Sequence, residues 1–129
     1  MQARGSFEIQ MQAEPPYDVV EDVSLARVSF DKQFSGPLVA PSKVSMLGAR
    51  TREPGSAGYV ALERVTGTLE GRSGSFVLLH RGIMDRGERA LSVVVVPDSA
   101  TGELAGLRGQ MDIQIVEGKH HYVFDYTLG

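Results

Sequence analysis

The stretch GYVALERVTGTLEGRSGSFVLLHRG, residues 58–82, constrains the fold more than any other part of the chain. Polar and apolar residues alternate on both sides of a glycine turn, which is the period of a half-buried strand. A helix would need apolar residues every three or four positions and few glycines. The stretch is therefore a β-hairpin, with strands expected over 57–70 and 74–84.

With a two-residue turn at Gly71-Arg72, Glu70 faces Ser73, Gly67 faces Phe76, and Glu63 faces His80. Tyr59, Ala61, Glu63, Val65, Gly67 and Leu69 then share one face with Phe76, Leu78 and His80. Directly opposed Cβ atoms lie roughly 4.5–5.5 Å apart, within reach of a carboxylate–imidazole hydrogen bond. A turn at Arg72-Ser73 keeps both side chains on that face but sets His80 opposite Val65. A half-step slip puts them on opposite faces.

The remaining segments read as further strands. Residues 6–12 alternate, with Phe7, Ile9 and Met11 on one face, and stop at Pro15-Pro16. Asp18 to Asp22 reads as an acidic connector. A strand over 23–34 places Ala26, Val28 and Phe30 together, and Ser35-Gly36-Pro37 turns the chain. A weaker strand over 40–51 alternates Val44 and Met46 with Lys43, Ser45 and Leu47, before a loop at Arg52 to Ser56. The valine run of 89–97 is expected to be buried on both faces. Residues 96–109 read as a loop, in which Ser99 or Thr101 could cap one short helical turn, leading into a strand over about 103–116 bent at its glycines. Glu117-Gly118 makes a hairpin turn into a last strand at 119–128.

Eight strands joined mostly by two to seven residues make neighbours in sequence antiparallel neighbours in space. An eight-stranded antiparallel up-and-down barrel, one domain over residues 1–129, is the expected fold. Closure removes exposed edges and leaves an interior that side chains fill or that holds one small ligand. A two-sheet sandwich is the alternative.

Composition narrows the function classes. The chain has 129 residues, 42% of them hydrophobic, enough for one core. It has no cysteine, so disulfides and thiol catalysis are excluded. Thirteen basic and sixteen acidic side chains are spread along it, and Arg81, Arg86 and Arg89 are interrupted by Asp85 and Glu88. Nucleic acid is therefore not an expected partner. No apolar run approaches the roughly 20 residues that span a bilayer, and the N-terminus lacks the apolar core of a signal peptide. The expected location is the cytoplasm, with no membrane partner.

Glu63 and His80 are the candidate catalytic pair, because a histidine oriented by a carboxylate is what general-base chemistry uses. A purely structural polar pair is the competing reading. On the last strand, His120, Tyr122, Phe124, Tyr126 and Leu128 form the more apolar row and point inward. Tyr59, Phe76, Tyr122 and Phe124 would line a ligand site, or simply fill the barrel. His120 and His121 face opposite ways, so no metal site is assigned, and no cofactor is expected. The acids Glu63, Glu103, Asp112 and Asp125 lie on or beside strands, which leaves open a carboxylate-dependent hydrolase, aspartic-peptidase-like and self-cleaving. No Gly-x-Ser-x-Gly elbow or phosphate loop is present.

Three blocks, GSAGYVALERVTGTLEGRSGSFVLLHRG (55–82), VVPDSATGELAGLRG (95–109) and HHYVFDYTL (120–128), carry a resemblance. Together they resemble the small bacterial family called domain of unknown function 3224. The resemblance implies a barrel similar to that of allene oxide cyclase, and a homo-oligomer. It implies no activity, since one barrel hosts many chemistries. Its motif positions are Tyr59, Glu63, Arg72, His80, Glu103 and Tyr122, so Arg72 and Glu103 join the candidate ligand-binding residues. The chain departs from the family pattern at Asp98 and Ala100, where glycines are favoured, which bears on any role of that loop needing a free backbone. The expected function is binding of a small apolar or mixed-polarity ligand inside the barrel. A hydrolase and a filled structural module are the alternatives, and whether the chain is an enzyme stays open.

Overall fold

The computed structural model describes residues 1–128. Its strands are β1 (Gln2–Ala13), β2 (Asp18–Val20), β3 (Val23–Ser35), β4 (Leu38–Arg50), β5 (Ala57–Leu69), β6 (Arg72–Asp85), β7 (Glu88–Val95), β8 (Arg108–Val116) and β9 (Lys119–Thr127). The sheet runs β1-β9-β8-β7-β6-β5-β4-β3-β2, and β1 also pairs with β3. That last pairing closes an eight-stranded antiparallel barrel of β1 and β3–β9, with β2 as a short extra strand on β3. The residues at 18–20, read as a connector, thus form a ninth strand.

Closure depends on β1 serving two neighbours. Residues Gln2–Phe7 pair with β9, and Ser6–Ala13 pair with β3. Tyr122 staples this junction from inside: its hydroxyl donates to the Ser35 carbonyl at 3.0 Å and accepts from the Leu38 amide at 3.1 Å. Gly5 lies against it, where a Cβ would collide with the Ser35 carbonyl and the Tyr122 ring. Only glycine allows β1 to approach so closely.

The β5–β6 turn is Glu70-Gly71, not Gly71-Arg72, with φ of 48° and 83°. Positive φ at both central positions is the mirror-image turn that matches strand twist, and glycine is favoured at the second. The register therefore differs from expectation by one two-residue step. Glu63 faces Leu78 and His80 faces Ala61. Because the step is two residues, the inward face is unchanged.

Two other expectations are corrected. The valine strand is buried on one face only: Val93 and Val95 point inward and are buried, while on the other face Val94 is half-buried and Ser92 is exposed. A barrel has one interior, so its outer wall stays at the surface. Residues 103–116 are not one strand. A 3₁₀ turn at Gly102–Leu104 precedes β8, and it drops Leu104 and then Leu107 into the core as a plug.

Residues 96–104 lie along the first part of β6, beyond the end of β7. Ser99 Oγ, Thr101 Oγ1 and Glu103 Oε1 accept from the backbone amides of Val77, Ser75 and Ser73 at 3.0, 3.1 and 3.0 Å. Acceptors at every second residue thus match donors at every second residue of a strand edge. Around this end Phe34, Leu38, Leu69, Phe76, Leu78 and Phe124 are sealed from solvent, and Phe76 stacks on Phe124 at 5.9 Å between ring centroids.

The opposite half is looser. Phe30, Met46, Tyr59 and Ile113 are only half-buried, while Ile9 and Met11 are 36% and 62% exposed. The barrel has a packed end and an open end.

Tyr122→Phe should lower stability by about 1–3 kcal/mol, since it strands the buried Leu38 amide. Urea unfolding at neutral pH measures it, and an unchanged midpoint would show that the hydroxyl is not the staple.

Candidate functional site

A polar cluster sits inside the barrel where the packed half meets the open half. Alternation on four strands builds it. The inward row of β3 runs Val28, Phe30, Lys32, Phe34, and that of β4 runs Ala40, Ser42, Val44, Met46. β5 contributes Glu63 and β6 contributes His80. Glu63 is completely buried, and both its oxygens are engaged. Oε1 accepts from His80 Nε2 at 2.7 Å and from Lys32 Nζ at 3.2 Å, and Oε2 accepts from Ser42 Oγ at 2.6 Å. Glu63 and His80 therefore meet along a diagonal of the sheet rather than directly opposite, a separation long side chains span.

Burial by itself would push the Glu63 carboxyl up. The hydrogen bond from His80, the Lys32 charge, the His80 charge and the Ser42 hydroxyl oppose it, and the carboxyl ends below its ordinary value. It is ionised at neutral pH, so His80 must present Nε2–H to it. Lys32 also lies 4.6 Å from the centroid of the Phe7 ring, which offers its charge an aromatic face.

Above the cluster, toward the open end, lies a cavity of about 260 Å³. Phe7, Ile9, Phe30, Val44, Met46, Tyr59, Ala61 and Ile113 form its walls, with Lys32, His80 and His120 as its polar lining. A second cavity of about 380 Å³ continues it outward and shares Met46 and Tyr59. Burial pushes the Tyr59 phenol up, with Arg89 opposing. A larger groove of about 750 Å³ lies by β1, β3 and the β8–β9 tip, but its lining includes the exposed Glu8, Gln10, Asp31, Gln33 and Lys119. The inner cavity is the better candidate, because the converging polar groups form its floor.

Of the residues singled out from sequence, Glu63, His80 and Tyr59 come together here. Phe76 and Phe124 are in the packed end, and Tyr122 is the closure staple. Arg72 is exposed at the hairpin tip, and Glu103 holds the Ser73 amide on the outside of the barrel. Lys32 and Ser42 were not singled out. The signal was present: carrying the Ala26-Val28-Phe30 alternation one step further places Lys32 inside, and Ser42 precedes Val44 and Met46 in the same way. Among the described residues no group of three His, Asp or Glu side chains is arranged to hold a metal ion.

The fold and site define a closed antiparallel β-barrel with one packed end, one open end, and a carboxylate–imidazole–ammonium cluster between them. The chain belongs to the DUF3224 family, described as a protein of unknown function, whose sequence profile matches residues 3–126. It is similar to a crystal structure of a DUF3224 protein of unknown function from Shewanella oneidensis MR-1. The two share 45% identity with a TM-score of 0.95, over 100% of this chain and 98% of that one. No curated protein matches the chain.

Glu63→Gln should cost about 3 kcal/mol or more at neutral pH, because it leaves the Lys32 charge buried without its counter-ion. A depressed carboxyl contributes stability above its unfolded pKa and loses it as pH falls through the folded value. The gap between wild type and Glu63→Gln should therefore narrow below the ordinary carboxylate range. Thermal unfolding of both proteins from pH 7 to pH 3 measures it, and a gap constant with pH would contradict the ionised assignment.

Proposed function

We propose that the protein binds a small, largely apolar molecule in the open end of its barrel. The observation that carries this reading is the coincidence of an apolar-walled cavity with a floor of converging polar groups, Lys32 and His80. Apolar walls with a few fixed polar groups are the usual make-up of a small-molecule site. The half-buried Phe30, Met46, Tyr59 and Ile113 are surface the chain itself leaves uncovered. A paired-carboxylate hydrolase needs two acids at its site, and no Asp or Glu lines the inner cavity.

Met46 lines both cavities, so Met46→Trp should fill the opening without touching the polar cluster. The fluorescence of 1-aminoanthracene, a neutral apolar probe, should rise with the wild type and at least ten-fold less with Met46→Trp. Equal enhancement in both would place the probe elsewhere and remove this reading.

We also propose that the protein is a homo-oligomer. Outward-facing Leu47, Val60, Leu62, Leu79 and Ile83 are all exposed, and Leu47 faces Val60 and Leu62 faces Leu79 across neighbouring strands. Contiguous exposed apolar surface of this kind marks an interaction face. Leu62→Lys should shift the mass measured by light scattering to that of a single chain. A wild type that is already a single chain would refute the proposal.

A further inference from the structure

The floor of the cavity is asymmetric in a way that simple ligand binding does not require. Glu63 takes the Nε2–H of His80, so the neutral form of the imidazole, which is the form that acts as a base, carries its lone pair on Nδ1. Among the described residues no hydrogen bond reaches Nδ1, and no buried side-chain nitrogen or oxygen lacks a partner. Nδ1 is therefore open to the cavity that His80 lines. Lys32 Nζ bonds the same Glu63 oxygen, so it lies beside the imidazole, and Glu63 is its sole hydrogen-bond partner among the described residues. Its remaining N–H groups are unspent. A proton acceptor and a charged donor thus stand side by side at the bottom of an apolar cavity. Ser42, the one buried hydroxyl of the cluster, is committed to Glu63 Oε2 and is not aligned with His80 as a nucleophile.

We propose that this site catalyses proton transfer at the carbon next to a carbonyl, on a small apolar ketone or aldehyde. The inference rests on the cavity being a ligand site. His80 Nδ1 removes the α-proton. The electrons of the broken C–H bond form a carbon–carbon double bond, and the carbonyl π pair moves to oxygen. Lys32 Nζ stabilises the enolate oxygen, and the Glu63 carboxylate stabilises the imidazolium. The proton then returns from Nδ1 to carbon, so nothing is oxidised or reduced and no co-reactant is consumed. His80 and Lys32 are the catalytic residues, and Glu63 is a positioning residue that fixes the imidazole tautomer. The substrate class follows from the walls: an uncharged hydrocarbon body suits Phe7, Ile9, Phe30 and Val44, and one carbonyl oxygen suits Lys32.

The test is α-hydrogen exchange of 2-octanone in D₂O, followed by ¹H NMR, with amide chemical-shift mapping of the same samples. Wild type should accelerate loss of the α-proton signals at least ten-fold over buffer. His80→Gln and Lys32→Met should each lose at least ten-fold of that acceleration. Met46→Trp, which leaves the cluster intact, should lose it by exclusion and serves if the cluster variants do not fold. Exchange equal in wild type and Met46→Trp, or no faster than buffer while the ketone shifts amides around Met46 and Tyr59, would overturn the catalysis and leave ligand binding standing. If 2-octanone shifts no amide there while 1-aminoanthracene still binds, the substrate class is wrong. If neither molecule binds, both readings fall together.

Discussion

A carboxylate sealed inside a barrel is the interaction on which the rest depends. Removing an ion from water costs several kcal/mol even after the protein relaxes, and only dense hydrogen bonding with a nearby opposite charge offsets that. Glu63 has both, with three partners on its two oxygens. Each partner comes from a different strand, so the cluster forms only when β3, β4, β5 and β6 are in register. A two-residue slip of any one strand keeps every side chain on its face yet moves a partner by one pair, leaving a buried charge short of a bond. The cluster thus fixes register among arrangements that hydrophobic alternation alone cannot distinguish.

The same cluster divides the interior. On one side, aromatic rings and leucines fill the barrel, and Leu104 and Leu107 close it. On the other, Ala61 and Gly82 supply little bulk, and the Tyr59 ring packs where any side chain at position 82 would have to go. Ala61 leaves room beside the cluster, and Gly82 lets the Tyr59 ring lie against β6 as a wall of the cavity. Closure and packing at one end supply the rigidity, so the other end can remain unfilled. A site built on strands is positioned more firmly than one carried on loops.

Much of this was legible in the chain. Alternation gave the strands, short connections gave the antiparallel order, and the face shared by Glu63 and His80 survived because a register error of two residues preserves parity. What escaped depended on long-range closure. Nothing local in Gln2–Ala13 says that it pairs with both β9 and β3, or that Asp18–Val20 adds a ninth strand. One short helical turn after Thr101 is within reach of the sequence, but its role as a plug is not, because Gly102 and Gly106 read locally as a loop, while their positive φ is what folds the segment over the barrel end. Lys32 is hidden in the sequence because a lysine between phenylalanines reads as a surface residue until its counter-ion is known. Arg72 and Glu103 are candidates by motif alone, and their places at the hairpin tip and against the Ser73 amide are structural ones.

The side-chain ladder along β6 bears on how the barrel meets other chains. Beyond the end of β7, the amides of Ser73, Ser75 and Val77 face a connection rather than a full strand. Had a strand covered them, its own far edge would have offered a fresh row of unpaired groups to the next chain. Ser99, Thr101 and Glu103 terminate the row with oxygens that cannot pass the pattern on. The ladder ends in a dead end for templated pairing, which guards against the growth of intermolecular sheets.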